Sequence, residues 1–397
     1  MNYRYILSLF IGIDVLMLLL QTSLLSISYE EASILYGDFS FLQLMVKTSI
    51  SIFGQNDFAL RIPMITLHLF SVILLYLISY KYLKYASDRF WMIFIFLLSP
   101  GVISSALIVN SAGLIIFGLL LFIYLYERLS KKYIYILLVF YSCINSGFVY
   151  LFISLIFYSY FKRDKIFLVW NLLFLAISIY LYGFNIHGLP KGHFLDSLGL
   201  YSAIFTPMLF IYIFYILYRR FLTKDMDMLW FISSVTFVLS LILSFRQKIE
   251  IEVFASYLII ALPLAAKTFS SSYRVRLKIF RKKYRYIFIF LIIFLLLNSF
   301  FLSLNKELYL LLENPKKNFA YNVHIAKELA IELKKKNINC IETGKKMSLR
   351  LKFYGIRSCD KYKLEKNVLN RIDGDIVTVS YNKRVVYRAI VTKINNK

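Results

Sequence analysis

The stretch FGQNDFALRIPMITLHLFSVILLYLI, residues 53–78, sets a polar turn with Asp57 and Arg61 directly against a run that carries no charged residue. The run extends to Tyr80, and Lys81 is the first charge beyond it. At a rise of about 1.5 Å per residue, a helix over 62–80 nearly matches the ~30 Å hydrocarbon core of a bilayer. The stretch predicts a membrane span with ionisable groups at its mouth.

Working outward, the same kind of block recurs along the chain. Of 397 residues, 59% are hydrophobic, and the mean hydropathy is +0.66. Soluble domains sit nearer ~45–50% apolar. Apolar blocks predict eleven spans, at 5–27, 62–80, 90–108, 111–126, 133–145, 147–161, 166–184, 199–218, 229–245, 253–269 and 286–304. The first block is too long for a signal-peptide core and lacks a small-x-small cleavage pattern, so it reads as a retained span.

The net charge of +25 would point to nucleic acid in a soluble chain. Here it sorts by loop. Arg4, the turns around Lys81–Arg89, Arg128–Lys132, Lys162–Lys165 and Arg219–Lys224, and the run Lys267–Arg285 form one basic set, with eight Lys and Arg in the last run alone. The alternate loops hold only Lys47, Arg61, Lys191, Arg246 and Lys248. By the positive-inside rule the basic set is cytoplasmic, which excludes nucleic acid as the reason for the charge. The N-terminus is then inside and, with an odd number of spans, the tail outside. For both flanks of 133–161 to be cytoplasmic, the chain must go out and back around CINSG, residues 143–147, as a tight or re-entrant hairpin.

Residues 305–397 lack apolar blocks and hold 21 Lys and Arg against 9 Asp and Glu. Val323, Ala326, Leu329, Ala330 and Leu333 recur at helical spacing, whereas DIVTVSY and RVVYRAIVTKI alternate as strands do. The expected architecture is an all-α polytopic membrane domain over 1–304, with outer loops including 28–61. A small extracytoplasmic α/β domain follows over 305–397. In an oxidising compartment Cys340 and Cys359 favour a disulfide over two free thiols, and Cys143 reads as a packing residue in a span.

The outer loops carry the chemistry. The first, SISYEEASILYGDFS at 26–40, holds Glu30, Glu31 and Asp38 and leads into FLQLMVKTSISIF, an amphipathic segment suited to the membrane interface. The second brings His187, Lys191, His193 and Asp196, and the third Arg246, Lys248, Glu250 and Glu252. His187 and His193 are the candidates for a divalent metal; no other cofactor is implied. A carboxylate at the water–lipid boundary can act as general base toward an acceptor hydroxyl or amine. Nearby Arg and Lys can stabilise a lipid-linked phosphate as it leaves. Such groups suit transfer from a membrane-lipid carrier to an acceptor of unknown identity, and the residues alone leave a transporter open.

SIFGQNDFALRIPMITLHLFSVILLYLI at 51–78, LLSPGVISSALIVNSAGLIIFGLLLFIYLY at 97–126 and RQKIEIEVFASYLIIALPLAA at 246–266, in this order, resemble the membrane glycosyltransferases of the C-type fold. Those include the dolichyl-phosphate-mannose protein mannosyltransferases and the aminoarabinose-lipid A transferases. The resemblance covers nearly the whole chain. It implies sugar transfer, with inversion, from a polyprenyl-phosphate donor to a lipid, glycan or protein acceptor at the outer face. It places the catalytic base in the acidic pair, usually Asp-Glu and here Glu30-Glu31. Asp38 is the second acid, although the family's adjoining prolines are missing. Arg61 either binds the donor phosphate or braces the loop against a carboxylate. Arg246 and Lys248 are placed on the phosphate, with Tyr257 nearby. The alternative is a non-enzymatic protein, either a lipid-linked glycan transporter or a degenerate transferase serving envelope glycan assembly. Against ion-coupled transport, the spans are nearly free of charge, with Asp14 the main exception.

Overall fold

The computed structural model describes residues 3–183, 192–365, 375–381 and 384–394. The helices run, in chain order, α1 Tyr3–Leu24, α2 Tyr29–Tyr36, α3 Phe41–Phe53, α4 Asp57–Tyr82, α5 Ala86–Leu98, α6 Pro100–Leu107, α7 Ser111–Tyr126, α8 Lys131–Ile144, α9 Val149–Lys162 and α10 Lys165–Tyr182. They continue with α11 Phe194–Phe205, α12 Pro207–Leu222, α13 Met228–Ser244, α14 Ile251–Leu258, α15 Leu262–Val275, α16 Lys278–Ser303, α17 Leu308–Leu311, α18 Ala326–Lys335 and α19 Lys345–Phe353. Three strands close the chain: β1 Tyr362–Glu365, β2 Asp375–Tyr381 and β3 Arg384–Lys393. The chain forms two compact units, Met1–Leu16 with Met64–Ser299 and Met17–Pro63 with Phe300–Lys397. The first outer loop, 28–61, belongs to the unit that holds residues 300–397.

Unit one is helical. Five described helices are long and apolar enough to cross a membrane: α1, α4, α10, the α14–α15 rod and α16. The number is seven if each of two bent pairs is one span. Those pairs fall where spans were expected over 90–108 and 199–218, each as two helices joined at a bend. The chain bends by 60° between α5 and α6 and by 107° between α11 and α12. Both breaks fall at a proline, Pro100 and Pro207. Proline lacks the N–H for the helical bond and pushes the preceding residue out of the α region. Thr206, before Pro207, has φ of +68°, an unfavourable conformation for a β-branched residue. At CINSG the helix also stops. Asn145 takes an extended conformation, and its side chain accepts from the Gly147 N–H at 2.8 Å. A Cβ at Gly147 would lie 2.4 Å from Ile115 Cδ1, so a larger residue here would make the Ile115 side chain on α7 shift.

Unit two packs α18 and α19 on an antiparallel sheet of order β1-β3-β2. Ala326, Leu329, Ala330 and Leu333 of α18 are buried with Leu351, Val377, Val379 and Val391. The helical and alternating patterns of the sequence become these two faces. Cys340 and Cys359 are joined by a disulfide with Cα atoms 5.5 Å apart. The amphipathic segment of the first outer loop is α3, which buries Leu42, Gln43, Val46 and Ser49 and exposes Leu44, Ile52 and Phe53.

Candidate functional site

In unit two, α2 starts at a capping box. Ser28 Oγ accepts from the Glu31 N–H at 3.0 Å, and Glu31 Oε2 accepts from the Ser28 N–H at 2.8 Å. The same carboxylate is fully buried against Arg61 of α4. Arg61 Nε donates to Oε1 at 3.1 Å and Nη2 to Oε2 at 3.1 Å. The remaining Arg61 N–H groups donate to the carbonyls of Thr22, Leu25 and Ser26, at 3.3, 2.9 and 3.0 Å. All five guanidinium donors are therefore used within the fold. This arrangement makes Arg61 a brace with no N–H left for a donor phosphate, and it commits both Glu31 oxygens to structure. Breaking such a pair strands a buried charge.

Glu30 and Asp38 are placed otherwise. Glu30 is the neighbour of Glu31 on α2, turned about 100° away by the helical pitch, and is exposed. Asp38 is exposed in the turn after α2. That turn is held by Gln43 Nε2, which donates to the carbonyls of Leu35 and Gly37 at 3.2 and 2.9 Å. The three acids are thus separated into one buried and two open to solvent.

The linker from α1 to α2 is held from its other side by residues no motif singled out. Arg350 Nε donates to the Ile27 carbonyl at 2.9 Å, and Ser26 N–H donates to the Val323 carbonyl at 2.7 Å. The Tyr354 hydroxyl accepts from the Ile27 N–H at 2.9 Å and donates to Asp57 Oδ1 at 2.7 Å. Lys327 Nζ completes the set, 2.8 Å from Asp57 Oδ2 and 2.9 Å from the Ser23 carbonyl. Asp57 and Arg350 are both buried. The carbonyls of Thr22, Ser23, Leu25, Ser26 and Ile27 and the Ile27 N–H are satisfied by side chains far away in sequence, which holds the linker between α1 and α2 in place.

In unit one, the segments bearing His193 and Arg246 meet. His193 N–H donates to the Ser244 carbonyl at 2.9 Å, and the rings of Phe194 and Phe245 stack at 4.8 Å. Arg246 and Lys248 are exposed, and neither has an ion-pair partner among the described residues. His193 Nδ1 lies 3.5 Å from Asp196 Oδ2. His187 and Lys191 lie outside the described residues. Among the described residues no group of three or more His, Cys, Asp or Glu could hold a metal ion. Tyr257 is fully buried, and its hydroxyl donates to the Gly147 carbonyl at 2.7 Å, locking the CINSG turn; its hydroxyl is not open to a phosphate. Asp14 pairs with His68 Nε2 at 2.9 Å, and His68 stacks on Phe96. The unexplained charge of α1 thus has its partner on α4, and the TLHLF of that span carried the signal.

No protein-family model matches the chain, and no curated protein matches it. Solved structures do. ArnT from Cupriavidus metallidurans in the apo state aligns with a TM-score of 0.59 at 11% identity, covering 98% of each chain. The fold is that of ArnT. The same protein bound to undecaprenyl phosphate aligns with a TM-score of 0.58 at 10% identity, covering 100% of this chain and 99% of that one. The chain therefore shares its fold with ArnT from end to end, as the resemblance of the sequence motifs led us to expect.

Proposed function

We propose that this chain is an integral membrane glycosyltransferase that moves a sugar from a polyprenyl-phosphate donor to a lipid, glycan or protein acceptor at the outer face of the membrane. The observation that carries the reading is the end-to-end likeness to ArnT, one of whose two matched structures holds undecaprenyl phosphate. In this reading α7, α8, α9 and α13 complete an eleven-span arrangement, and α3 lies in the interface. The N-terminus is cytoplasmic and the sheet domain extracytoplasmic.

Of the acidic pair, Glu30 is the base. Its carboxylate is exposed while Glu31, one residue on, holds α2 in place. Glu30 takes the proton from an acceptor hydroxyl or amine. The freed lone pair attacks the anomeric carbon, and the bond from that carbon to the carrier phosphate breaks. Arg246 and Lys248, exposed and without an ion-pair partner among the described residues, receive the charge that develops on the departing phosphate. Asp38 is the second carboxylate of the same loop.

The commitment of Glu31 and Arg61 to structure favours one other reading: a non-enzymatic protein that handles lipid-linked glycan without chemistry. Proteoliposomes loaded with a polyprenyl-phosphate sugar separate the two. Transfer releases free polyprenyl phosphate in step with glycosylated acceptor, and Glu30→Gln stops both. Movement of intact lipid-linked sugar across the vesicle, with no carrier released, would establish the second reading.

A further inference from the structure

A groove between α5, α12, α15 and α16 lies apart from every residue assigned above. Its volume is about 1030 Å³, at the upper end of the ~300–1,000 Å³ typical of small-molecule pockets. Its walls are apolar: Trp91 and Ile95 from α5, Tyr212 from α12, Ala266 and Phe269 from α15, and Phe288 from α16. The charged residues in its lining are Asp88, Arg274 and Arg285. They sit at the start of α5, the end of α15 and the start of α16, which is one end of the groove.

That end carries uncompensated positive charge. Asp88 and Arg274 neutralise each other, with Arg274 Nη2 at 2.7 and 2.6 Å from the two carboxylate oxygens. Among the described residues Arg285 has no ion-pair partner and meets the Tyr273 hydroxyl at 3.4 Å. Lys278, Lys282 and Arg285 fall at four- and three-residue spacing on one exposed face of α16. The helix itself has a single buried residue, Leu295, so protein covers little of its apolar surface. Hydrocarbon must cover the rest.

We infer that the groove binds an anionic diacyl phospholipid, its acyl chains along the aromatic walls and its phosphate at Arg285 and Lys282. Basic pockets between transmembrane helices select anionic headgroups, each Lys or Arg contributing about fivefold in affinity. The proposed sugar carrier is the wrong occupant on distance. Arg246 and Lys248 precede the α14–α15 rod, Ile251–Val275, and Arg274 ends it. At about 1.5 Å per residue that rod is roughly 37 Å long, a bilayer's thickness. A carrier with its phosphate at Arg246 cannot present it at Arg285. The lipid site itself does not depend on the transferase reading.

Native mass spectrometry of the full-length protein tests this, using an equimolar mixture of phosphatidylglycerol and phosphatidylethanolamine with identical chains. The wild type retains one lipid, enriched in phosphatidylglycerol. Arg285→Gln lowers the enrichment about fivefold and the Lys282→Gln/Arg285→Gln pair about 25-fold. Ala266→Phe, which fills the groove, lowers retention of both lipids. Equal retention of the two lipids by the wild type would overturn the inference, as would undiminished enrichment in the double variant. Displacement of phosphatidylglycerol by an equal concentration of polyprenyl phosphate would assign the groove to the carrier instead.

Discussion

Glu31 and Arg61 meet as a fully buried bidentate pair across thirty residues of sequence. The pair joins the first turn of α2 to the first turn of α4, and Arg61 also collects three backbone carbonyls of the preceding linker. Removing one partner of a buried pair costs about 3–5 kcal/mol, whereas removing both leaves no stranded charge. Arg61→Met should therefore lower the thermal midpoint more than Glu31→Gln, because it also orphans the carbonyls of Thr22, Leu25 and Ser26. The double variant should cost less than the two singles added together. Thermal melts of the four proteins in one detergent measure the cycle, and strict additivity would contradict a coupled pair.

The adjacent acid should behave differently. Glu30 is exposed and makes no structural bond comparable to that of Glu31. Glu30→Gln should leave the melting temperature within about 1 °C of wild type, because exposed sites away from special features shift stability little. Loss of a general base should slow transfer by about 10²–10⁴-fold. A variant that melts normally and still turns over at the wild-type rate would remove Glu30 from the reaction.

How much of this was legible in one dimension depends on the length of the interaction. The long apolar helices, the sheet and the face of α18 follow from periodicities of eighteen residues or fewer; of the eleven expected spans, five described helices are long and apolar enough to cross a membrane, or seven with the two bent pairs. The prolines at Pro100 and Pro207 were visible as well, yet the size of each bend depends on what packs around it. Gly101 against Ile204 is one such contact, and it joins two segments with no shared motif. The acidic pair was legible as two neighbouring carboxylates in an outer loop, but not which of them is buried. Which of two neighbouring carboxylates is buried depends on Arg61, thirty residues further along the chain. Arg350, Tyr354 and Lys327 gave no signal at all, since single polar residues in a basic tail look like solvated surface. Their work is done on Ser23, Ile27 and Asp57, some three hundred residues earlier.

Tyr354 is the simplest member of that set to test. Its hydroxyl bridges the Ile27 N–H and the Asp57 carboxylate, and burial beside Asp57 pushes its pKa well up, so the phenol stays protonated and keeps donating. Tyr354→Phe keeps the ring and deletes the bridge, leaving a buried N–H unmade. The expected cost is about 1–3 kcal/mol. Hydrogen exchange should show faster opening at residues 26–28, with the β2–β3 hairpin unaffected. Equal acceleration in both places would mean that the hydroxyl supports the whole unit rather than the linker.

His324 sets an acid limit on the second unit. It is 1% exposed, its Nδ1 lies 3.1 Å from the Tyr309 hydroxyl, and Nε2 has no hydrogen-bond partner among the described residues. Burial, with Lys306 adding to it, pushes the imidazole down to about 3. The unfolded chain binds the proton near 6.5 while the folded chain refuses it, so protonation favours unfolding as pH falls. The contribution is fully present above about pH 6.5 and is lost as pH falls from there toward about 3, at up to about 1.4 kcal/mol per unit. Melting temperatures measured from pH 7.5 to 4.5 should fall on the acid side for the wild type. They should fall less for His324→Asn, which cannot take up the charge. Parallel curves would show that other groups carry the acid sensitivity.

The disulfide offers a test of both stability and compartment. Cys340 and Cys359 close a loop with a sequence separation of 19. A loop of that length restricts the unfolded chain by about 3 kcal/mol in the chain-entropy account. Paired Cys340→Ser and Cys359→Ser substitutions should lower the stability of the sheet domain by that order and sensitise it to protease, while the helices of unit one melt as before. Pairing also requires an oxidising surrounding, which the cytoplasm does not supply. The chain has three cysteines, and Cys143 is free and exposed. Protein taken from membranes, denatured and alkylated without reductant should gain one adduct, and three after reduction. Three adducts without reductant would deny the bond in the cell, and with it the placement of the C-terminal domain outside the membrane.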